Sequence, residues 1–172
     1  MIVLGVDPGT ATTGYGVVRG DARAQTLVEC GVLRTSASAP LPSRLADIFE
    51  GIAELIERHR PDVLAVEDAF HNKNVRTTLV LGHARGVILL AGQRAGIVIH
   101  EFAPAMVKKT VVGAGAATKE QVQFMVAKLL RLKTAPSPAD AADGVAVAMT
   151  AMLRGSGAFA DGLRLTANGS RQ

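Results

Sequence analysis

The sequence predicts a single α/β domain built on a mixed β-sheet. Its 172 residues fit one domain. Three strand-like segments joined by short turns open the chain, which indicates an antiparallel meander. Amphipathic helical segments then alternate with short apolar runs, a pattern typical of strands that helices cover on both faces. Five strands are predicted in all, flanked by helices on both faces of the sheet.

The first strand is predicted over Ile2–Asp7, an apolar run that the turn sequence Asp-Pro-Gly stops. Two further strands follow at Thr13–Arg19 and Thr26–Arg34, with Gly20 and Asp21 marking the turn between them. Because the connections are short, consecutive strands of this group are expected to pair in antiparallel fashion.

Apolar residues at three-and-four spacing predict an amphipathic helix over Ser43–Arg60. The apolar run Val63–Glu67 predicts a strand buried on both faces. The remaining segments are a helix over Asn74–Arg94, a strand over Gly96–His100, a helix over Pro104–Val111, a helix from the capping box of Thr118 and Gln121 to about Leu132, and a helix from Ser137 to about Leu153. The domain is expected to span residues 1–154, and the Gly-, Ser- and Asn-rich stretch 155–172 to be a flexible tail.

Composition narrows the functional classes. Lys and Arg exceed Asp and Glu by 19 to 15, which suits an anionic partner but does not demonstrate one. Cys30 is the sole cysteine, so an internal disulfide and a thiolate metal cage are excluded and a reducing cytoplasm is expected. Neither a secretory leader nor an apolar run of about 18 residues is present, so we expect no membrane insertion.

Two acidic residues, Asp7 and Glu67, each end a buried apolar strand. Strand ends are where open α/β sheets commonly build ligand sites. The alternative for Asp7 is a structural role in the Asp-Pro-Gly turn. A glutamate beside a core calls for a cation, since an unpaired buried carboxylate is costly. Successive strand residues face opposite ways, so only one of Glu67 and Asp68 faces a given site, and periodicity leaves that choice open.

Two further acids, Asp140 and Asp143, lie three residues apart on the last predicted helix and therefore share a face. Asp140 has an alternative, structural role. An acid three residues after Ser137 would complete the cap of the helix and interact favourably with the helix dipole. Asp143 lies a turn deeper among small residues, which permit close approach of another element.

Convergence of these four acids would create an all-oxygen site suited to Mg²⁺ or Mn²⁺. Such a cluster holds two ions about 3.5–4 Å apart and supports in-line hydrolysis of a phosphodiester. The four histidines are scattered and form no ligand pair. Glu101 also follows a predicted strand, but Phe102 and Pro104 are expected to turn the chain away from the site.

Several segments, in order along residues 1–154, resemble the RuvC family of Holliday junction resolvases. They are GVDPGTATTGYGVV, PSRLADIF, VEDAFHNKN, LGHARGV, VKKTVVGAGAATKEQVQ and PADAADGVAVA. The resemblance implies an RNase H-like fold with a mixed five-stranded sheet. It also implies a Mg²⁺-dependent endodeoxyribonuclease that resolves four-way junctions in recombination and repair by symmetric cuts, leaving 5′-phosphate and 3′-hydroxyl ends.

The same resemblance assigns the catalytic and metal-binding carboxylates to Asp7, Glu67, Asp140 and Asp143. Glu67, rather than Asp68, occupies the catalytic position of the family. Some relatives have His at the position of Asp140. The family pattern further implies two ions per site, with Mn²⁺ able to replace Mg²⁺.

DNA contacts are expected around the acids. The resemblance indicates that Phe70 stacks on an unpaired base at the crossover, and stacking of this kind is worth about 1–3 kcal/mol. Its alternative is a core anchor. Lys108 and Lys119 are expected near the scissile phosphate by the same analogy. The full candidate set is Phe70, Lys73, Arg76, Lys108, Lys109 and Lys119; for each lysine the alternative is a solvated surface residue.

Family membership implies a homodimer, which suits a junction with two symmetric strands to cut. The helix Asn74–Arg94 is the expected interface, although its apolar Leu79, Val80, Val87 and Leu90 would equally suit a core. Cooperation with the branch-migration proteins RuvA and RuvB is also implied.

Two other functions compete with this interpretation. DPGTATTGYG also resembles the first phosphate loop of actin-like ATPases, but that class needs a second similar subdomain, for which 172 residues leave no room. The non-enzymatic alternative is a junction-binding protein whose acids serve only as caps and turns. It predicts junction binding without metal-dependent cleavage.

Overall fold

The computed structural model describes residues 1–68 and 74–155. Three strands open the chain, helices and strands alternate through its middle, and three helices close the described part. In chain order the elements are β1 (Ile2–Asp7), β2 (Thr12–Gly20), β3 (Gln25–Arg34), α1 (Leu41–His59), β4 (Val63–Glu67), α2 (Val75–Arg94), β5 (Val98–Phe102), α3 (Pro104–Val112), α4 (Lys119–Leu129) and α5 (Ala139–Gly155).

The strands form one five-stranded sheet in the order β3-β2-β1-β4-β5. β1, β2 and β3 pair in antiparallel fashion, which confirms the predicted meander. β4 pairs in parallel with β1 on one side and with β5 on the other. The last β1–β4 register pair is Val6 with Val66, so Asp7 and Glu67 extend from neighbouring strands at the same edge of the sheet.

Helices cover both faces of this sheet. One core packs α1 and α2 against Leu4, Val6, Leu64 and Val66. The other core packs α3, α4 and α5 against the alternate strand residues, which include Val3, Val63 and Ala65. Since strand side chains alternate in direction, Glu67 belongs to the α5 face of the sheet and Asp68 to the α2 face.

Helix α5 lies unusually close to β1 and β2 because small residues separate their backbones. A Cβ atom at Gly14 of β2 would lie 1.8 Å from the main-chain oxygen of Asp140. A Cβ atom at Gly144 of α5 would lie 2.5 Å from Cα of Tyr15. Neither distance leaves room for a side chain, so the two glycines allow the start of α5 to rest on the strand. This packing brings the acids of α5 over the end of β1.

The predicted position of the fifth strand is wrong by two residues. It was expected over Gly96–His100, whereas β5 spans Val98–Phe102. Gly96 instead has φ +70° and donates its N–H to the carbonyl of Gln93, so it closes the turn after α2. As a consequence Glu101 lies within β5, opposite Val66, and does not follow the strand as expected.

Other boundaries differ slightly from the predicted ones. The capping box of Thr118 and Gln121 is confirmed, but α4 ends at Leu129 before Arg131 adopts a left-handed conformation. Helix α5 begins at Ala139 and not at Ser137. Asp140 nevertheless remains in its first turn.

The C-terminal limit of the domain stays a prediction. Helix α5 reaches Gly155, and residues 156–172 lie outside the described part of the chain. Among the described residues, no helix combines the length and the apolar character that crossing a bilayer would require.

Candidate metal centre

Three of the four predicted acids converge. Carboxylate oxygens of Asp7, Asp140 and Asp143 all lie within 4.8 Å of one another. β1 delivers Asp7 at the edge of the sheet, and the first two turns of α5 deliver the other two. All three side chains are half-buried. The three-residue spacing predicted that Asp140 and Asp143 share a face, and the close packing of α5 aligns that face with Asp7.

Glu67 lies beside this group without belonging to the 4.8 Å set. Its place at the end of β4, next to β1 and on the α5 face, brings its charge close to the aspartates. Repulsion from Glu67 contributes to the raised pKa of Asp7, and repulsion from Asp143 contributes to that of Glu67. The four acids therefore form one electrostatic unit, which we call the acidic cluster.

Burial and mutual repulsion strongly perturb two members of the acidic cluster. Burial, followed by repulsion from Glu67 and Asp143, raises the pKa of Asp7 to about 8. Burial, followed by repulsion from Asp143, raises the pKa of Glu67 to about 7. A carboxyl group that resists ionisation in this way is one whose charged form lacks a counter-charge, and a bound cation would supply it.

One cation is already supplied by the protein. Nζ of Lys119, the first residue of α4, lies 2.9 Å from Oδ2 of Asp143. This hydrogen bond raises the pKa of Lys119. The positive charge of Lys119 in turn offsets part of the rise in the pKa values of Asp7 and Glu67. The Lys119 side chain is 60% exposed, whereas that of Asp143 is 14% exposed. The ammonium therefore reaches the cluster from the solvent side.

The other three acids have no such partner. Within residues 1–68 and 74–155, the carboxylates of Asp7, Glu67 and Asp140 take part in no hydrogen bond or ion pair. The turn after β1 is instead held by Thr13, whose hydroxyl donates to the carbonyl of Gly9 at 2.6 Å. The structural alternatives for Asp7 and Asp140, a turn and a cap, thus lack the hydrogen bonds that would define them. Only the favourable interaction of Asp140 with the helix dipole is retained.

These features fit a hard divalent cation. The converging donors are all carboxylate oxygens, the ligand type that Mg²⁺ and Mn²⁺ prefer. Several negative charges share a half-buried volume, which is unfavourable until a cation neutralises them. No histidine or cysteine belongs to the described acid group, so its chemistry does not favour zinc.

The predicted DNA-contact residues are distributed around the site. Lys108 of α3 lies near enough for its charge to lower the pKa of Glu67. Lys109 is exposed in the last turn of α3, and Arg76 is exposed in the first turn of α2. Phe70 and Lys73 lie outside the described residues.

A second charged cluster, on the opposite face of the sheet, was not predicted. Arg85 of α2 forms ion pairs with Asp68, which follows β4, and with Glu101 of β5. This settles the open choice at the end of β4, since Asp68 faces α2 and only Glu67 faces the aspartates. A signal for Arg85 was present in the sequence: it is the only charged residue between Leu79 and Ala91, and a lone charge in such an apolar stretch calls for an acidic partner.

Comparisons with known proteins show the family to which the chain belongs. The family model described as crossover junction endodeoxyribonuclease RuvC matches residues 3–151. A RuvC of this description from Desulforamulus reducens is 48% identical over 149 residues, which cover 87% of this chain and 91% of the relative. The Thermus thermophilus RuvC structure is similar, with a TM-score of 0.83 and 34% identity over 91% of this chain and 96% of that one. The T. thermophilus RuvC in complex with a Holliday junction substrate also has a TM-score of 0.83, with 32% identity and the same coverage.

The fold is therefore RNase H-like, as expected, and the chain belongs to the RuvC family of crossover junction endodeoxyribonucleases.

Proposed function

We propose that this protein resolves four-way DNA junctions by metal-dependent hydrolysis of one phosphodiester in each of two symmetric strands. The observation that carries the proposal is the convergence of Asp7, Asp140 and Asp143 within 4.8 Å, with Glu67 alongside. The acids are half-buried and, Asp143 apart, without a partner among the described residues. The similarity to a T. thermophilus RuvC that was solved with a Holliday junction supports the choice of substrate.

The acidic cluster would hold two Mg²⁺ ions, or Mn²⁺ in their place. Asp7, Glu67, Asp140 and Asp143 are the proposed ligands and catalytic residues. Bound there, the ions would supply activation of the attacking water and stabilisation of the departing oxygen. The attack is in line with the leaving 3′-oxygen, so the products carry 5′-phosphate and 3′-hydroxyl ends.

Lysines beside the cluster have two tasks in this mechanism. Lys119 keeps the charge of Asp143 compensated and lowers the pKa values of Asp7 and Glu67. Lys108 has the same effect on Glu67. We propose that both ammonium groups also contact the phosphate to be cut. In this way a site made of like charges accepts an anionic substrate.

Binding of the junction would use a wider basic surface. Lys108, Lys109, Lys119 and Arg76 are proposed phosphate contacts, together with Lys73. Phosphate contacts of this kind position the DNA without reading its sequence. Phe70 is the proposed stacking residue for a base at the crossover.

A homodimer would bring two such sites to one junction. Helix α2 carries an exposed apolar stripe, in which Val75, Leu79 and Leu90 are 74%, 60% and 50% exposed. Val87, in contrast, packs against the core. A Cβ atom at Gly82 or Gly86 would meet nothing within 4 Å, so another helix has room to approach there. Pairing of two α2 helices about a two-fold axis would cover the stripe.

Two wider proposals come from family membership. The protein would act with the branch-migration proteins RuvA and RuvB. It would work in the reducing cytoplasm, where Cys30 stays a free thiol. We also propose that residues 1–154 form the nuclease domain.

The proposal is tested with a synthetic four-way junction, incubated with the protein in the presence and absence of Mg²⁺. Glu67→Gln removes one proposed ligand and is expected to reduce cleavage by about 100-fold or more. Its matched control is Glu54→Gln, which makes the same change at an exposed position of α1 on the other face of the sheet. The control is expected to cut at the parental rate. Folding of both variants is checked by thermal melting.

The alternative function has a different signature. A junction-binding protein without catalysis would retard the junction in a gel and yield no products with any divalent metal. Equal cleavage by the parent and by folded Glu67→Gln would also sink the proposal.

A further inference from the structure

We propose that Arg85 is a positioning residue for Glu67, acting from the opposite face of the sheet. The inference rests on the proposed function, since it assumes that Glu67 serves the metal centre. It concerns three residues outside the acidic cluster: Arg85 of α2, Asp68 after β4, and Glu101 of β5.

The ion pairs of Arg85 join two neighbouring strands. Nε of Arg85 lies 3.3 Å from Oδ1 of Asp68. Its Nη2 donates a hydrogen bond to Oε2 of Glu101. Glu101 stands opposite Val66 in the parallel β4–β5 register. One planar guanidinium on α2 thus ties the end of β4 to its outer neighbour.

A main-chain hydrogen bond strengthens the same link. The N–H of Asp68 donates to the carbonyl of Phe102 at 2.8 Å, one position beyond the last register pair of β4 and β5. The peptide that joins Glu67 to Asp68 is therefore fixed on one side by this bond, and through the Asp68 side chain by Arg85. Few rotations remain for the residue between Val66 and Asp68.

Because successive side chains of a strand point to opposite faces, a restraint on Asp68 also fixes the direction of the Glu67 side chain. Asp68 faces α2, so Glu67 must face α5, where the aspartates lie. If Asp68 were released, the end of β4 would be free to twist, and the Glu67 carboxylate would move relative to Asp7. A displacement of about 1 Å at a catalytic group can cost about 100-fold in rate.

The arrangement of Arg85 between Asp68 and Glu101 favours arginine over lysine at this position. Arg85 is 20% exposed, and its partners Asp68 and Glu101 are 31% and 26% exposed. The broad planar guanidinium donates a hydrogen bond to Glu101 and at the same time lies within ion-pair distance of Asp68, whereas an ammonium group offers a single point of charge. Lysine at this position would keep the positive charge but lose one of the two links.

The test compares Arg85→Lys and Asp68→Asn with a matched control, Arg94→Met. Arg94 lies on the same helix, 5.9 Å from the centre of the Phe49 ring, and takes no part in the ion pairs of Arg85 with Asp68 and Glu101. Three quantities are measured on the full chain: junction binding without divalent metal, single-turnover cleavage against Mg²⁺ concentration, and the rise in melting temperature caused by Mg²⁺ without DNA.

Arg85→Lys and Asp68→Asn are expected to bind the junction within about twofold of the parent, because neither residue is a proposed DNA contact. Both are expected to need more Mg²⁺ for half-maximal cleavage and to cut about 10- to 100-fold more slowly at limiting Mg²⁺. Their stabilisation by Mg²⁺ alone should shrink in parallel. Arg94→Met should match the parent in all three measurements.

Unchanged Mg²⁺ dependence in folded Arg85→Lys and Asp68→Asn would overturn the positioning role, even if both melt at lower temperature. Should Arg85→Lys fail to fold, Asp68→Asn decides alone. The two levels of proposal separate through Glu67→Gln. If that variant is inactive while the Arg85 variants behave like the parent, only the positioning role fails. If Glu67→Gln cuts like the parent, the proposed function fails, and the positioning role fails as well because it depends on that function.

Discussion

The ammonium of Lys119 and the carboxylate of Asp143 meet at 2.9 Å, although 24 residues separate them in sequence. One begins α4 and the other lies in α5, so the contact depends on the packing of the two helices. It places a positive charge at the rim of a group of acids. The contact has a consequence for the pH dependence of cleavage.

Replacing Lys119 with Met is expected to shift the rising limb of the cleavage–pH profile upwards by up to about 1 unit. The reason is that Lys119 lowers the pKa values of Asp7 and Glu67, so its loss raises both. The measurement is the single-turnover rate against pH at a limiting Mg²⁺ concentration, where proton release from the two acids still controls metal binding. Lys128→Met, on the same helix but beside the ring of Phe124, is the control and should leave the profile unchanged.

Stability without metal is expected to fall as pH rises. Asp7 and Glu67 have ordinary pKa values of 3.8 and 4.5, and folding raises these to about 8 and about 7. The folded protein therefore holds protons that the unfolded chain has released. Their contribution to stability is fully present below about pH 4 and is lost as pH rises through about 7 to 8.

Mg²⁺ should reverse this loss, because its binding requires the ionised carboxylates. Saturating Mg²⁺ is expected to raise the melting temperature by about 5–10 °C near pH 9 and by far less near pH 6. Calorimetry at both pH values checks this. In Asp7→Asn the pH dependence should be shallower and the Mg²⁺ response weaker. A Mg²⁺ response that is the same at both pH values would contradict the linkage.

Asp140→Asn should lose activity far more than stability. A cap contact is worth about 0.5–2 kcal/mol and a dipole interaction about 0.3–1 kcal/mol. Asp140 makes no hydrogen bond among the described residues, so the loss of stability should be near the lower figures. Cleavage should fall by about 100-fold or more. Urea denaturation and junction cleavage are compared on the same preparation; normal cleavage with a lowered midpoint would favour a structural role.

Leu79→Glu should break the proposed dimer. Leu79 is 60% exposed on α2, and a glutamate there would face its own copy across the two-fold axis. Sedimentation should show a monomer, and paired cuts in a junction should give way to single nicks. Val28→Glu, at a 41% exposed position on β3 at the other edge of the sheet, is the control. A Leu79→Glu protein that remains a dimer would place the interface elsewhere.

Phe70→Ala is expected to bind the junction at low salt but cleave it poorly. Stacking on an unpaired base is worth about 1–3 kcal/mol, and phosphate contacts would sustain the remaining affinity. Phe70→Trp keeps an aromatic face and should restore cleavage. The stacking role fails if the alanine variant cuts at the parental rate.

Much of this architecture was predictable because local patterns and tertiary structure agree. The apolar run before Asp7 and the one before Glu67 predicted strands, and both bounds are confirmed. Parallel pairing then brings the two acids to one edge. The three-residue spacing of Asp140 and Asp143 predicted a shared face.

Other features depend on contacts between distant segments. The choice between Glu67 and Asp68 becomes visible only in the contacts of Asp68, which forms an ion pair with Arg85 of another element, and Arg85 also pairs with Glu101. The register of β5 follows from Gly96, whose left-handed conformation extends the turn after α2. Glycine is compatible with both a turn and a strand, so the sequence pattern alone did not decide whether Gly96 belongs to the turn or to β5.

The absent side chain at Gly14 has a practical meaning for engineering. Exchange of glycine for alanine is a common route to a more heat-stable protein, because it reduces the disorder of the unfolded chain. At Gly14 the added methyl group would collide with the main-chain oxygen of Asp140, 1.8 Å away. The start of α5 would have to lift, and Asp140 would leave the other acids. A library that randomises this strand should therefore return inactive proteins at this position before it returns unfolded ones.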